Sequence, residues 1–314
     1  MSELIIILLF PIIFFIIFNE NIIFQTVQKN YKINITGIDS SLLIFFSFLN
    51  ILLIFSIIDL SIHYVSIFII FYLIINFFLF FFKFKNFLNL KKYAFFTLLF
   101  YIFSLTIVSN PDLGWDAKFH WYKRALNFYQ DMGLQNLSTL PKYEYPHFGT
   151  YLWGLVWNLS PLKYEYFGRL FYLLIYLFSL SSICELIANK KIRPLIFVVL
   201  AICCFNLNHF LGNQDILIFS LVVFLARYLF IIFEEKKQTL TYFLIIFLIS
   251  NLLIWIKYES IVSILIIYSG IIFFKLIHKD YKYLNFIIIS FLFIFFFKLL
   301  ISHLYKINLD ASFQ

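Results

Sequence analysis

The chain is a succession of apolar runs of similar length, and that spacing narrows its possible folds more than any other feature. Ten runs stand out: Leu4–Phe18, Ser41–Leu60, His63–Phe82, Tyr93–Ser109, Phe167–Ala188, Pro194–Phe210, Ile216–Phe233, Leu240–Ile256, Ser260–Ile277 and Tyr283–Ser302. A helix crosses a bilayer core with about 20 apolar residues, fewer for short spans. The first run is short and carries Pro11. It lacks a basic leading segment and a small-residue cleavage site, so it reads as a span rather than a signal peptide. Composition agrees. Of 314 residues 63% are hydrophobic and 46 are Phe, and the mean hydropathy is +0.94. No soluble domain of this size hides so much apolar side chain. The sequence therefore predicts an all-α, polytopic membrane protein with about ten transmembrane helices and one large extracytoplasmic loop containing interfacial helices. It divides into N-terminal spans over 1–109, the loop over 110–166 and C-terminal spans over 167–314.

The net charge of +8 comes from 24 basic and 16 acidic residues. In a soluble protein that excess suggests nucleic acid. Here the basic residues sit in short loops between apolar runs, which is the membrane-topology pattern, and no nucleic-acid partner is implied. Basic loops occur around Lys29 and Lys32, over 83–92 ("KFKNFLNLKK"), over 189–193 ("NKKIR"), at "EEKKQ" and at "KLIHKDYK". Threading the ten runs puts all of them on one side. The loops at 61–62 and 211–215 on the other side carry no Lys or Arg. The positive-inside rule makes the basic side cytoplasmic, so the 110–166 loop, the "NHFLGNQD" loop and the "IKYES" turn face outward. Cys184, Cys203 and Cys204 lie in apolar context with no metal-ligand spacing.

Charge gathers on that outward side. In "PDLGWDAKFHWYKRA", Asp116, His120 and Lys123 or Arg124 share one face of a helix, while Trp115, Phe119, Tyr122 and Leu126 share another. An amphipathic helix lying at the membrane surface is expected over 113–128. Further along, "KYEYPHFGTYLWGLVW" holds Tyr145 and His147, with Pro146 forcing extended geometry before it. "NHFLGNQDILIF" holds His209 and opens a span on Asp215, a position suited to capping the helix N-terminus. "LLIWIKYESIVSIL" sets Lys257 and Glu259 between two apolar runs, close enough to pair with each other.

The order of these motifs, from "GWDAKFHWYKRA" through "YEYPHFGTYLWGL" and "GNQDILIFSLVVFLARYL" to "IKYES", resembles the GT-C superfamily of integral-membrane glycosyltransferases. The likeness is to bacterial members related to protein mannosyltransferases and aminoarabinose transferases, and it covers roughly residues 110–265. Three extra spans precede the acidic loop. That loop has a single Asp116, with Asp112 nearby, where relatives often have paired acids. Such relatives are usually longer, so the chain reads as a truncated or minimal member.

The resemblance implies transfer of a sugar from a polyprenyl-phosphate donor to a lipid or glycan acceptor outside a bacterial inner membrane. That chemistry needs a base for the acceptor hydroxyl, cations for the departing phosphate, and an apolar groove for the isoprenoid tail. Asp116 is the candidate base. Lys257, then Lys123 and Arg124, are candidates for the phosphate. Asp215 is a candidate to position the acceptor or a divalent cation held through carboxylate oxygens. Glu259, Tyr145, His120, His147 and His209 are supporting candidates. Two rival readings are a transporter or flippase and a non-catalytic membrane scaffold. A transporter usually places polar groups and helix breaks near the bilayer midplane. Here Arg227, Glu185 and Lys298 are the exceptions to apolar span interiors, with Arg227 and Glu185 placed to snorkel.

Overall fold

The structure, a computed structural model, describes residues 2–18, 37–83, 94–140, 145–234 and 239–305. The basic residues around Lys29 and Lys32, those of 84–92 and those of 235–238 lie outside the described residues, as does the chain end at Gln314. Among the described residues there are twelve α-helices and no strand. The first four are α1 (Ser2–Phe18), α2 (Gly37–Ile57), α3 (Ile62–Lys83) and α4 (Ala94–Val108). The loop contributes α5 (Tyr122–Tyr129) and α6 (Phe148–Leu159). The remainder are α7 (Tyr166–Cys184), α8 (Arg193–Cys204), α9 (Asp215–Phe233), α10 (Leu240–Ile254), α11 (Ser260–Ile277) and α12 (Leu284–Leu304).

Each expected apolar run therefore contains a helix. Five helices, α2, α7, α9, α11 and α12, are long and apolar enough to cross a membrane. The apolar helices α1, α4, α8 and α10 run to 17 residues or fewer. The run Pro194–Phe210 is not one helix. α8 stops at Cys204 and a short 3₁₀ turn follows over Leu207–Phe210. Asn206 explains the break, because its extended backbone lets the side chain accept from the Asn208 N–H, an alternative to the helical ladder. α7 is the central helix, with 83% of its apolar window buried, whereas α11 and α12 bury only 28% and turn most of their surface outward.

The loop departs from its expected form. Its second helix, α6, is not interfacial: Phe148 to Asn158 are all buried. α6 packs against α5 by close backbone approach, since a Cβ at Gly154 would lie 2.5 Å from the Ala125 carbonyl oxygen. α6 is held to α7 and α9 by Tyr172, whose hydroxyl donates to the Gly149 carbonyl at 2.8 Å and accepts from Gln214 Nε2 at 3.1 Å.

Of the two ionisable residues assigned to snorkelling, Arg227 does not snorkel. Arg227 on α9 is buried and donates to Asp39 Oδ1 of α2 at 2.9 Å and to the Ser182 carbonyl of α7 at 2.7 Å. Tyr228 donates to the same Asp39 oxygen at 3.2 Å. Glu185 pairs with Arg193 at 2.6 Å across the turn between α7 and α8. Burying a charge is costly unless it is paired and hydrogen-bonded, and three helices supply those partners here.

Candidate functional site

The segment after Pro111 is tied down first. The Gly114 N–H donates to the Leu211 carbonyl at 2.9 Å, joining it to the turn before α9. That turn passes close over α6 at Gly212, where φ is +97° and a Cβ would lie 2.4 Å from the Trp153 ring. Only glycine suits both conditions. The chain is then helical from Trp115 to Tyr129, as the periodicity predicts, with one departure. Residues Ala117–Trp121 form a π-helical turn, which inserts a residue and rotates the rest of the helix about its axis. As a result Trp121 turns toward the polar side, while Lys123 does not.

Beside this helix is a cavity of about 380 Å³. Its carboxylates are Asp116, Asp215 and Glu259, and its cations are Arg124 and Lys257. His120, Asn213, Trp115, Trp121 and Tyr145 complete the wall. Of the ten residues singled out from sequence, seven line this one cavity: Asp116, His120, Arg124, Tyr145, Asp215, Lys257 and Glu259. The other three do not. Lys123 and His209 are exposed elsewhere. His147 is buried behind the cavity, its ring against Trp255 and Phe128. The Ser56 hydroxyl donates to the Leu53 carbonyl at 2.7 Å, so His147 Nε2, 2.9 Å from Ser56 Oγ, donates to that hydroxyl oxygen. Burial, then the charges of Lys298 and Arg124, push the His147 pKa well below the ordinary histidine value and keep the ring neutral.

Charges in the cavity are arranged differently from the sequence expectation. Asp215 makes no side-chain cap; its Oδ1 accepts from Lys257 Nζ at 2.7 Å. Glu259, the expected partner of Lys257, lies 3.9 Å away. Burial opposes the lysine charge, but the hydrogen bond and charge of Asp215, with Glu259 beyond, raise its pKa overall. Arg124 is buried and donates to the Tyr145 carbonyl at 2.5 Å. Tyr145 in turn packs edge-on against Trp121, ring centroids 5.5 Å apart. Asp116 is exposed to the cavity mouth and forms no hydrogen bond or ion pair among the described residues. His120 Nδ1 and Asn213 Oδ1 are buried there without a hydrogen-bond partner among the described residues. Such atoms want a ligand or water.

Three wall residues are not among the ten: Trp121, Asn213 and Trp115, which the periodicity assigns to the opposite, apolar face. Asn213 was visible in "GNQD" beside Asp215. Trp121 was not, because the π-helical turn breaks the helical period that assigned faces. Behind the wall, Lys298 of α12 is buried with its ammonium 3.7 Å from the Trp255 ring centroid. Among the described residues no group of three or more His, Cys, Asp and Glu side chains is placed to hold a metal ion. Asp215 is engaged by Lys257, so a cation at that carboxylate would compete with an ammonium. No family model, no curated protein and no solved structure matches the chain. Among the described residues, fold and cavity define an all-helical arrangement with five membrane-length apolar helices and a charged, aromatic-walled cavity beside α5.

Proposed function

We propose that the chain is a membrane glycosyltransferase of the GT-C kind, moving a sugar from a polyprenyl-phosphate donor to a lipid or glycan acceptor. The observation that carries this reading is the convergence of Asp116, Arg124, Asp215, Lys257 and Glu259 on one cavity from segments far apart in sequence. In this scheme ten spans thread a bacterial inner membrane and the cavity faces outward, away from the basic loops. The acceptor oxygen attacks the anomeric carbon while Asp116, which has no competing partner among the described residues, takes the hydroxyl proton. The bond from the anomeric carbon to the phosphate oxygen breaks, and the electron pair leaves with the polyprenyl phosphate. Arg124 and Lys257 stabilise that charge. Asp215 holds Lys257 in place, and the outward apolar faces of α11 and α12 offer a surface for the isoprenoid tail. Lys123, His147 and His209 have no direct part. A transport path is less well supported, because Arg227 is already locked to Asp39 and Lys298 lies under Trp255.

The test is release of polyprenyl phosphate from a panel of polyprenyl-phosphate sugars by the purified chain in nanodiscs. Transfer with at least one donor is expected. Folded protein that turns over no donor, in the presence of lipid and glycan acceptors, would refute the enzyme reading.

A further inference from the structure

A second, smaller pocket of about 130 Å³ lies where the α2–α3 turn meets the turn after α5. Two carboxylates from distant parts of the chain line it, Asp59 and Asp131. Asp59 Oδ1 accepts from the Leu134 N–H at 2.6 Å. Asp131 Oδ1 accepts from the Ile62 N–H at 2.6 Å, and its Oδ2 from the Ser61 hydroxyl at 2.5 Å. Each turn thus clasps the other. The clasp accounts for part of the bonding capacity only, since two carboxylates offer roughly eight lone-pair sites. Neither carboxylate has an ion-pair partner among the described residues.

The independent observation is Tyr151 of α6. It is 2% exposed, lines the same pocket, and its hydroxyl has no hydrogen-bond partner among the described residues. The buried hydroxyl lines the same pocket as the two carboxylates and wants a partner there. Its burial, and then the charge of Asp131, hold the hydroxyl neutral, so it offers a lone pair rather than a third negative charge. The pocket far exceeds the roughly 10–15 Å³ needed to hold one water.

The geometry points to a calcium site, in which Asp59, Asp131 and the Tyr151 hydroxyl ligate one Ca²⁺ together with water and the Ser61 hydroxyl. Calcium takes six to eight oxygen ligands in flexible geometry, which suits a mixed set on two turns better than the strict octahedron of magnesium. The site is separate from the large cavity and does not depend on the glycosyltransferase reading. It does bear on that cavity, because Phe128, one turn beyond Arg124 on α5, lines the pocket. A bound ion would fasten α5, and with it the helix that carries Asp116, to the α2–α3 turn.

The test is thermal unfolding of the whole purified chain in nanodiscs, stripped with EDTA and titrated with CaCl₂, with MgCl₂ and ionic-strength-matched NaCl as comparisons. A saturating rise in Tm with CaCl₂ is expected, with a midpoint on the order of 10⁻⁴–10⁻³ M, as in extracellular calcium modules. MgCl₂ should act more weakly and NaCl should not saturate. Asp131→Asn should shift the midpoint by roughly 10–100-fold. That change also loosens the clasp, so Tyr151→Phe is the cleaner variant. It removes an unpartnered hydroxyl, should leave ion-free stability intact, and should weaken the calcium response. Absence of a saturating response in folded wild type overturns the site. So does a response unchanged in both Tyr151→Phe and Asp131→Asn, or one abolished by Asp215→Asn instead, which would put the ion in the large cavity.

Discussion

Helix α9 carries two charged residues that meet opposite fates. Asp215 opens the helix and is 54% exposed at the cavity; Arg227, twelve residues on and about 18 Å along the axis, is 5% exposed and paired with the buried Asp39. Arg227 has Asp39, Ser182 and the ring of Tyr228 around it. Asp215 has a single lysine, itself partly open to the cavity. The difference separates two uses of charge in an apolar chain. Where a buried carboxylate and a carbonyl from two other helices hold it, the charge fixes which helices pack together. Where partners are few and one side is open, it remains available to a substrate.

Breaking the locked end should have the larger effect on folding. Arg227→Ala takes the guanidinium away from the buried Asp39 carboxylate, and breaking a buried pair costs about 3–5 kcal/mol. Thermal or denaturant unfolding in lipid nanodiscs reads it directly. A loss below about 1 kcal/mol would mean the pair behaves like a surface one, and the contrast along α9 would disappear.

Acid should act next, through the wall behind the cavity. The His147 pKa is lowered by burial, then by Lys298 and Arg124, so below the ordinary value of 6.5 the unfolded chain binds a proton that the folded chain refuses. The stability that neutral His147 allows is therefore complete above pH 6.5 and falls as the pH drops toward the depressed folded value. The slope is about 1.4 kcal/mol per pH unit across that window. Unfolding measured between pH 7.5 and 5 should show this slope, and His147→Gln should flatten it. Equal slopes in the two proteins would contradict the burial argument.

The cavity pair should contribute least to stability. Lys257 and Asp215 are partly exposed, and such pairs are worth about 0–1 kcal/mol. Lys257→Ala should therefore unfold near the wild-type temperature while binding the polyprenyl-phosphate donor more weakly. The Lys257 pKa is raised, so its share of the pair is complete below the usual lysine range and is lost only as pH rises through the higher folded value. Donor binding limited by Lys257 should stay flat from pH 6 to 9. A large drop in stability with unchanged donor binding would make Lys257 a structural residue like Arg227.

Much of this was legible in the chain because polar residues are conspicuous against so apolar a background. The apolar runs gave the helices, and the few charges outside the basic loops gave most of the cavity. What could not be read depends on distance or on local irregularity. Lys257 prefers Asp215, 42 residues away, over Glu259 two residues away, and no spacing rule reaches that far. Asp39 and Arg227 are 188 residues apart. The π-helical turn at Ala117–Trp121 moved Lys123 out and Trp121 in, although a regular period predicted otherwise. The general expectation of interfacial helices in the loop fails at α6, because its aromatics suit a core as well as a membrane surface.

Sugar transfer by Asp116→Asn, with unfolding and donor binding measured in the same preparation, is the most direct test of the cavity's role. The substitution keeps size and hydrogen bonding but removes the proton acceptor. Transfer should fall by roughly 10²–10⁴-fold, the usual worth of a general base, while stability and donor affinity stay at wild-type values. Wild-type transfer by the folded variant would contradict the assignment of Asp116 as the base.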